Sequence, residues 1–160
     1  MKTFAAFLGT MALLLGGCVS NPPTTNPVNW EQVHSQVSDS MAQVFIVRPE
    51  AYVGSANRYL IQINNEEVGT LRTGYYITRQ TRVGEVVVKA STQANILNFG
   101  LGLALMGEPE LQFQAQSGGV YFVRVDVGFS GGPTLQLVDT TSGKGLVNAT
   151  KEEPPIEPDK

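Results

Sequence analysis

At 160 residues with a formal net charge of -3, the chain is one domain long and has no basic stripe, which argues against a nucleic-acid partner and against electrostatic capture by anionic headgroups. Charged residues are only 16%, and the chain holds one histidine and one cysteine. No disulfide framework, no metal site of the usual three or four ligands and no cofactor are therefore expected.

The chain opens with Met1-Lys2-Thr3 and then an apolar run from Phe4 to Leu15. About a dozen apolar residues suit the core of a signal peptide and fall short of the roughly 20 needed to span a bilayer. Leu15-Gly16-Gly17-Cys18 follows, and this resembles a bacterial lipobox: an aliphatic residue, two small residues, then the cysteine that takes lipid. A secreted domain normally pairs its cysteines, so a lone Cys18 calls for another role, and lipidation supplies one. Two or three acyl chains such as palmitate suffice for stable anchoring. Residues 1–17 are thus read as a signal peptide. Val19 at the next position matches, by the sorting rule of enterobacterial lipoproteins, an outer-membrane address facing the periplasm.

Residues 18–29, with Pro22, Pro23 and Pro27 among small polar residues, read as the lipidated cysteine and a flexible tether. Trp30 to Ser40 reads as one short amphipathic helix or turn with Trp30, Val33 and Val37 on one side. Strand signals then dominate: 42–48 ended by Pro49, 59–63 and 67–71 joined at Asn64-Asn65 as a hairpin, 74–78, 85–90, 111–115, 120–127 and 134–138. No long helical period stands out after residue 40. The expected architecture is all-β, a small antiparallel β-sandwich (Ig-like or transthyretin-like) over residues 30–150. Residues 151–160, acidic and proline-rich, read as a disordered tail.

Several segments carry a family resemblance. Val44-Phe45-Ile46-Val47-Arg48-Pro49 is similar to an opening strand ending in Arg-Pro. Tyr52-Val53-Gly54-Ser55, the stretch from Ile63 to Leu71, Gly74-Tyr75-Tyr76, Gly118 to Arg124 and Leu135 to Asp139 follow in matching order. Together they resemble, over about 42–145, a family of bacterial lipoproteins catalogued as domain of unknown function 2846. The chain departs from the family in having Asn64-Asn65 where Asp-Gly is usual, and no histidine near Arg82-Val83-Gly84-Glu85. The resemblance implies an all-β fold outside the cytoplasm and no assigned activity.

Candidate chemistry is sparse. His34 could be drawn into a triad with Ser35 and Asp39, but nothing sets a nucleophile elbow or an oxyanion hole there. Glu66-Glu67, Glu108/Glu110 and Glu152-Glu153 are carboxylate neighbours, not a pair facing across a cleft. Arg48 and Arg124 lie in otherwise apolar strands. Each is either structural or outward-facing, or a contact for an anionic ligand, and Arg124 shares a strand face with Asp126. The segment from Ile96 to Gly107 falls between strands yet is almost wholly apolar. Exposing many such side chains to water is unfavourable, so the segment either covers the core or contacts a partner or membrane. The candidate contact residues are Ile96, Leu97, Phe99, Leu101, Leu103, Leu105 and Met106, with Tyr75, Tyr76 and Tyr121 on an adjoining open face.

The reading that follows is a non-enzymatic lipoprotein of the bacterial cell envelope. It is anchored in the membrane through acylated Cys18, and its binding or scaffolding domain takes an envelope protein partner. The alternatives are a purely structural envelope lipoprotein and an extracytoplasmic hydrolase.

Overall fold

The computed structural model describes residues 27–92, 108–128 and 132–154. In chain order the elements are α1 (Trp30–Gln36), β1 (Met41–Arg48), β2 (Tyr59–Ile63), β3 (Glu66–Leu71), β4 (Tyr75–Arg82), β5 (Gly84–Thr92), β6 (Glu110–Ala115), β7 (Val120–Val127), β8 (Pro133–Val138), α2 (Thr140–Asn148) and β9 (Lys151–Glu152). They form a five-stranded sheet, β8-β7-β1-β4-β9, and a four-stranded sheet, β3-β2-β5-β6. The expected all-β sandwich is the fold.

The β2–β3 hairpin turns on Asn64 (φ 52°) and Asn65 (φ 65°). Two left-handed residues in succession give the turn whose twist matches the flanking strands, and asparagine tolerates that conformation. The Asn64 side chain also accepts from the Val87 amide at 2.9 Å, tying the turn to β5.

The five-stranded sheet is covered on both faces. On one side Ala42, Val44, Ile46, Ile77, Val123 and Val125 meet Tyr59, Ile61, Ile63, Leu71, Val86, Val88 and Ala90 of the second sheet. On the other side Phe45, Val47, Tyr76 and Phe122 meet Val147 of α2, with Trp30 and Val33 of α1 packed against them. Strand β1 is central in this three-layer stack, and so its residues from Ala42 to Arg48 are all buried. A strand covered on both faces reads as a continuous apolar run and not as an alternation.

Three expectations are corrected. The sandwich is not purely antiparallel: β1 pairs β7 in parallel, and β4 pairs β9 in parallel. These strands lie far apart in sequence, which leaves room for the long connections that parallel neighbours require. A helix does occur after residue 40. Asp139 caps α2 by accepting from the Thr141 and Ser142 amides at 2.9 and 3.0 Å. The helix was hidden because its sequence, Thr-Thr-Ser-Gly-Lys-Gly-Leu-Val-Asn, holds residues of low helix propensity and only two adjacent apolar side chains. Tertiary packing makes up the difference. Finally, the C-terminal segment does not leave the domain at residue 151. The Lys151 and Glu153 amides donate to the Gly74 and Tyr76 carbonyls at 3.0 and 2.8 Å, and Glu153 Oε1 lies 2.6 Å from Arg72 Nε. Residues 155–160 lie outside the described residues.

Candidate functional site

Strand directions gather a set of connections at one end of the sandwich. β1 ends there at Arg48, paired with Tyr75 at the start of β4. β2 begins there at Tyr59, paired with both Leu71 at the end of β3 and Thr92 at the end of β5. The 49–58 loop and the 72–74 turn therefore share this end with the last residues of β5 and, because β7 runs parallel to β1, of β7. The candidate contact residues Ile96, Leu97, Phe99, Leu101, Leu103, Leu105 and Met106 belong to the β5–β6 connection and lie outside the described residues.

The 49–58 loop is built around Arg48. This side chain is neither outward-facing nor available to an anionic ligand, which corrects one of its two sequence readings. It is 2% exposed and sits at the mouth of the core between the sheets. Its Nη1 donates to the Asn57 carbonyl at 2.7 Å and its Nη2 to the Gly54 carbonyl at 2.7 Å. A longer Nη1 contact reaches the Leu71 carbonyl at 3.5 Å. The guanidinium lies over the Tyr59 ring, 4.2 Å from its centroid. Burial lowers the Arg48 pKa, with the Tyr59 charge acting in the opposite sense. Arginine suits the position because its planar fork reaches several carbonyls at once and keeps its charge where a lysine would shed it.

Arg48 thus fastens both ends of the Gly54–Asn57 turn, and the two residues that precede this turn point out. Tyr52 is 98% exposed and Val53 71%. Gly54 adopts φ 73°, and a Cβ there would come within 2.6 Å of Val127 Cγ2, so the loop is seated against β7 as well. The Ala51 amide donates to Thr73 Oγ1 at 3.1 Å, and that hydroxyl donates to the Pro49 carbonyl at 3.1 Å.

A second concavity, about 540 Å³, lies between β8 and α2 and is lined by Arg124, Gln136, Asp139 and Ser142, among others. Arg124 faces it, already paired: Nε lies 2.7 Å from Asp126 Oδ2, and Nη2 donates to Asp126 Oδ1 at 3.1 Å. The i, i+2 placement on one strand face is the ion pair that the sequence suggested. Ser142 Oγ donates to Asp139 Oδ2 at 2.6 Å. Hydrogen bonds from the Ser142 side chain and then its backbone amide lower the Asp139 pKa. The carboxylate is thereby spent on capping its own helix. Neither Ser142 nor Asp139 has a histidine beside it: His34 is exposed on α1, and Ser35 Oγ donates to the Gln32 carbonyl at 2.9 Å. Ser35, His34 and Asp39 form no relay.

The three tyrosines do not share an open face, which corrects that expectation. Tyr76 is 7% exposed beneath the helical layer. Tyr75 points the other way, with the Arg72 guanidinium 4.2 Å above its ring centroid. Tyr121 packs on Phe113 with ring centroids 5.0 Å apart, and its hydroxyl accepts from the Gln116 amide at 2.8 Å. Among the described residues, no group of three or more His, Cys, Asp or Glu side chains is placed to hold a metal ion, and no helix is long and apolar enough to cross a membrane.

The sequence placed Tyr52 and Val53 in a family-like stretch and gave neither a site role. A short exposed apolar pair in a polar loop is ordinary in a sequence. Only the buried arginine behind it marks it out, and that burial is a tertiary fact.

Fold and site together define a two-sheet β-sandwich, backed by helices on one face and bearing a buttressed loop at one end. Residues 38–136 match the model of a family described as "Protein of unknown function (DUF2846)", and the chain belongs to that family. No curated protein matches it.

Proposed function

We propose that this chain is a lipid-anchored protein of the bacterial cell envelope, held through Cys18, whose sandwich is a non-catalytic module that binds an envelope protein through its loop-bearing end. The observation that carries the binding reading is the use of Arg48. A buried cation binds two loop carbonyls, Asn57 and Gly54, and so fixes the turn that directly follows the exposed Tyr52 and Val53. Burying a charge is unfavourable unless it is well hydrogen-bonded, so a loop with no role would be held more simply by an apolar contact. Strand β5 ends at this same end at Thr92, the partner of Tyr59, and the apolar segment from Ile96 to Gly107 follows it in sequence. The Leu15-Gly16-Gly17-Cys18 segment supports the anchor, and the Val19 that follows supports an outer-membrane address.

The two halves are tested separately. Cys18→Ala should release the protein from the membrane fraction, and the wild type should yield an N-terminal lipopeptide mass. Retention of the variant with no lipopeptide in the wild type would refute the anchor. In-cell photo-crosslinking from position 52 or 101 should give one specific protein adduct that Arg48→Met abolishes, with position 136 as a silent control. Adducts confined to the domain's own strands would refute the binding end.

A further inference from the structure

The sandwich has an open seam on the side where β3 of one sheet faces β4 of the other. Two contiguous grooves run along it. One, about 290 Å³, is lined by Val68, Gly69, Thr70, Ile77, Thr78 and the chain from Glu152 to Pro154. The other, about 400 Å³, continues past Val68 between Ile63 and Glu66 of one sheet and Met41, Arg79, Gln80 and Arg82 of the other.

Strand β4 is eight residues long and pairs with β1 along its whole length. On its outer edge β9 pairs only with Tyr75 and Tyr76. The outward carbonyls used are those of Gly74 and Tyr76. Ladder groups repeat every second residue, so the next outward amides and carbonyls belong to Thr78, Gln80 and Arg82. No described strand pairs with them. Among the described residues the chain's own ladder reaches Glu153, and chemistry bars its simple continuation. Lys151 and Glu153 are the donors, the next donor in that series would be residue 155, and residue 155 is a proline with no N–H.

We propose that the outer edge of β4 from Thr78 to Arg82 is a strand-addition site for an extended acidic segment of a partner protein. It is separate from the loop end and does not depend on it. β9 shows what this edge accepts. An extended segment lies parallel to β4, its backbone donating to outward carbonyls, with Glu153 on Arg72 and Tyr76 Oη donating to Glu152 at 3.5 Å. The stretch that no described strand pairs with continues the same chemistry. Arg79 faces the groove and is answered only by a loose 3.8 Å contact with Glu66, the two side chains being 55% and 77% exposed. A screened pair of this kind contributes little and yields readily to a better-placed carboxylate. Arg82, three residues on at the end of the strand, adds an exposed cation that leaves from the opposite face of the sheet. From Thr78 to Arg82 the edge spans about 13 Å, enough for a segment of about five residues. Backbone pairing would supply affinity, and alternate side chains facing Arg79 would supply selectivity for acid.

The test uses the full chain and a fluorescein-labelled seven-residue peptide that alternates valine with glutamate, alongside a version with lysine in place of glutamate. Fluorescence anisotropy should show saturable binding of the glutamate peptide. Amide exchange at Thr78 and Gln80 should slow about tenfold or more on addition, the fold-change expected of hydrogen bonds gained at an open edge. Gln80→Pro removes one outward donor at an edge position where proline is tolerated, and should weaken binding about tenfold. Arg79→Glu should reverse the preference toward the lysine peptide, and it keeps the test open should Gln80→Pro fail to fold. The proposal is overturned by no binding at about 1 mM peptide, or by binding indifferent to both substitutions, the behaviour of arginines that merely guard an edge. It is equally overturned if Thr78 and Gln80 are already protected in the free chain and lose that protection on truncation after Pro154, because the chain's own terminus would then be the occupant.

Discussion

Two glycines in α2, two positions apart, should respond in opposite directions to the same substitution. A Cβ built on Gly143 would lie 2.1 Å from Phe122 Cγ and 2.5 Å from Phe122 Cβ. Phe122 cannot retreat. It is 1% exposed, stacked on Phe45 at 5.4 Å and held edge-on by Trp30 at 5.7 Å. Overpacking of this kind typically costs 1–3 kcal/mol, and a contact this short belongs at about 3 kcal/mol. Replacing glycine by alanine within a helix returns about 1 kcal/mol, so Gly143→Ala should destabilise by about 2 kcal/mol. A Cβ on exposed Gly145 meets nothing within 4 Å. Gly145→Ala should therefore show only the helix-propensity gain, up to about 1 kcal/mol. Urea unfolding followed by Trp30 fluorescence is a suitable assay, because the chain's one tryptophan packs in this same layer. Equal effects of the two substitutions, or a Gly143→Ala protein as stable as wild type, would refute the reasoning that α2 is seated on β7 by the absence of a side chain.

Other expected outcomes follow from single contacts. Arg48→Met keeps the stem but leaves the Asn57 carbonyl without its donor, while the Gly54 carbonyl keeps only the Asn57 amide at 3.0 Å. The substitution should cost about 2 kcal/mol, since an orphaned group costs about 1–3 kcal/mol and the loop can turn partly to water; amide exchange should quicken across residues 50–58 more than in β5. Burial, then the charge of Glu152 and a hydrogen bond to it, push the Tyr76 pKa from 10.0 up to about 12. The native state therefore favours the protonated phenol. That stabilisation is complete below pH 10 and is lost as pH rises from 10 to 12, with a ceiling of about 2.7 kcal/mol and less for a group only partly desolvated. Tyr76→Phe should flatten the fall in stability over that window, and an unchanged slope would contradict the assignment. Glu153→Ala removes the 2.6 Å partner of Arg72 and should free β9, seen as loss of exchange protection at Lys151 and Glu153 with β1 unaffected.

Much of the fold was legible in the chain because strands announce themselves locally. β-branched and aromatic runs bounded by Gly, Asn and Pro placed β1 to β8 within a few residues, and Asn64-Asn65 marked its turn by the backbone it permits. Arg124 and Asp126 could be paired from their spacing alone, because residues two apart on a strand share a face. Helix α2 was not legible, since Gly143 and Gly145 lower its intrinsic propensity and one of them is required by a neighbour 21 positions away. The roles of Arg48 and Tyr52 were equally hidden. An arginine ending a strand can face either way, and only the approach of Gly54, Asn57 and Leu71 turns this one inward. The sequence by itself determined what each residue can do locally: which segments extend, where they turn and which face is apolar. The tertiary structure alone decided which strands run parallel, that a third, helical layer covers the sheet, and which edge of β4 no described strand covers beyond Tyr76. Those outcomes depend on contacts between residues far apart in the chain, and no local window contains them.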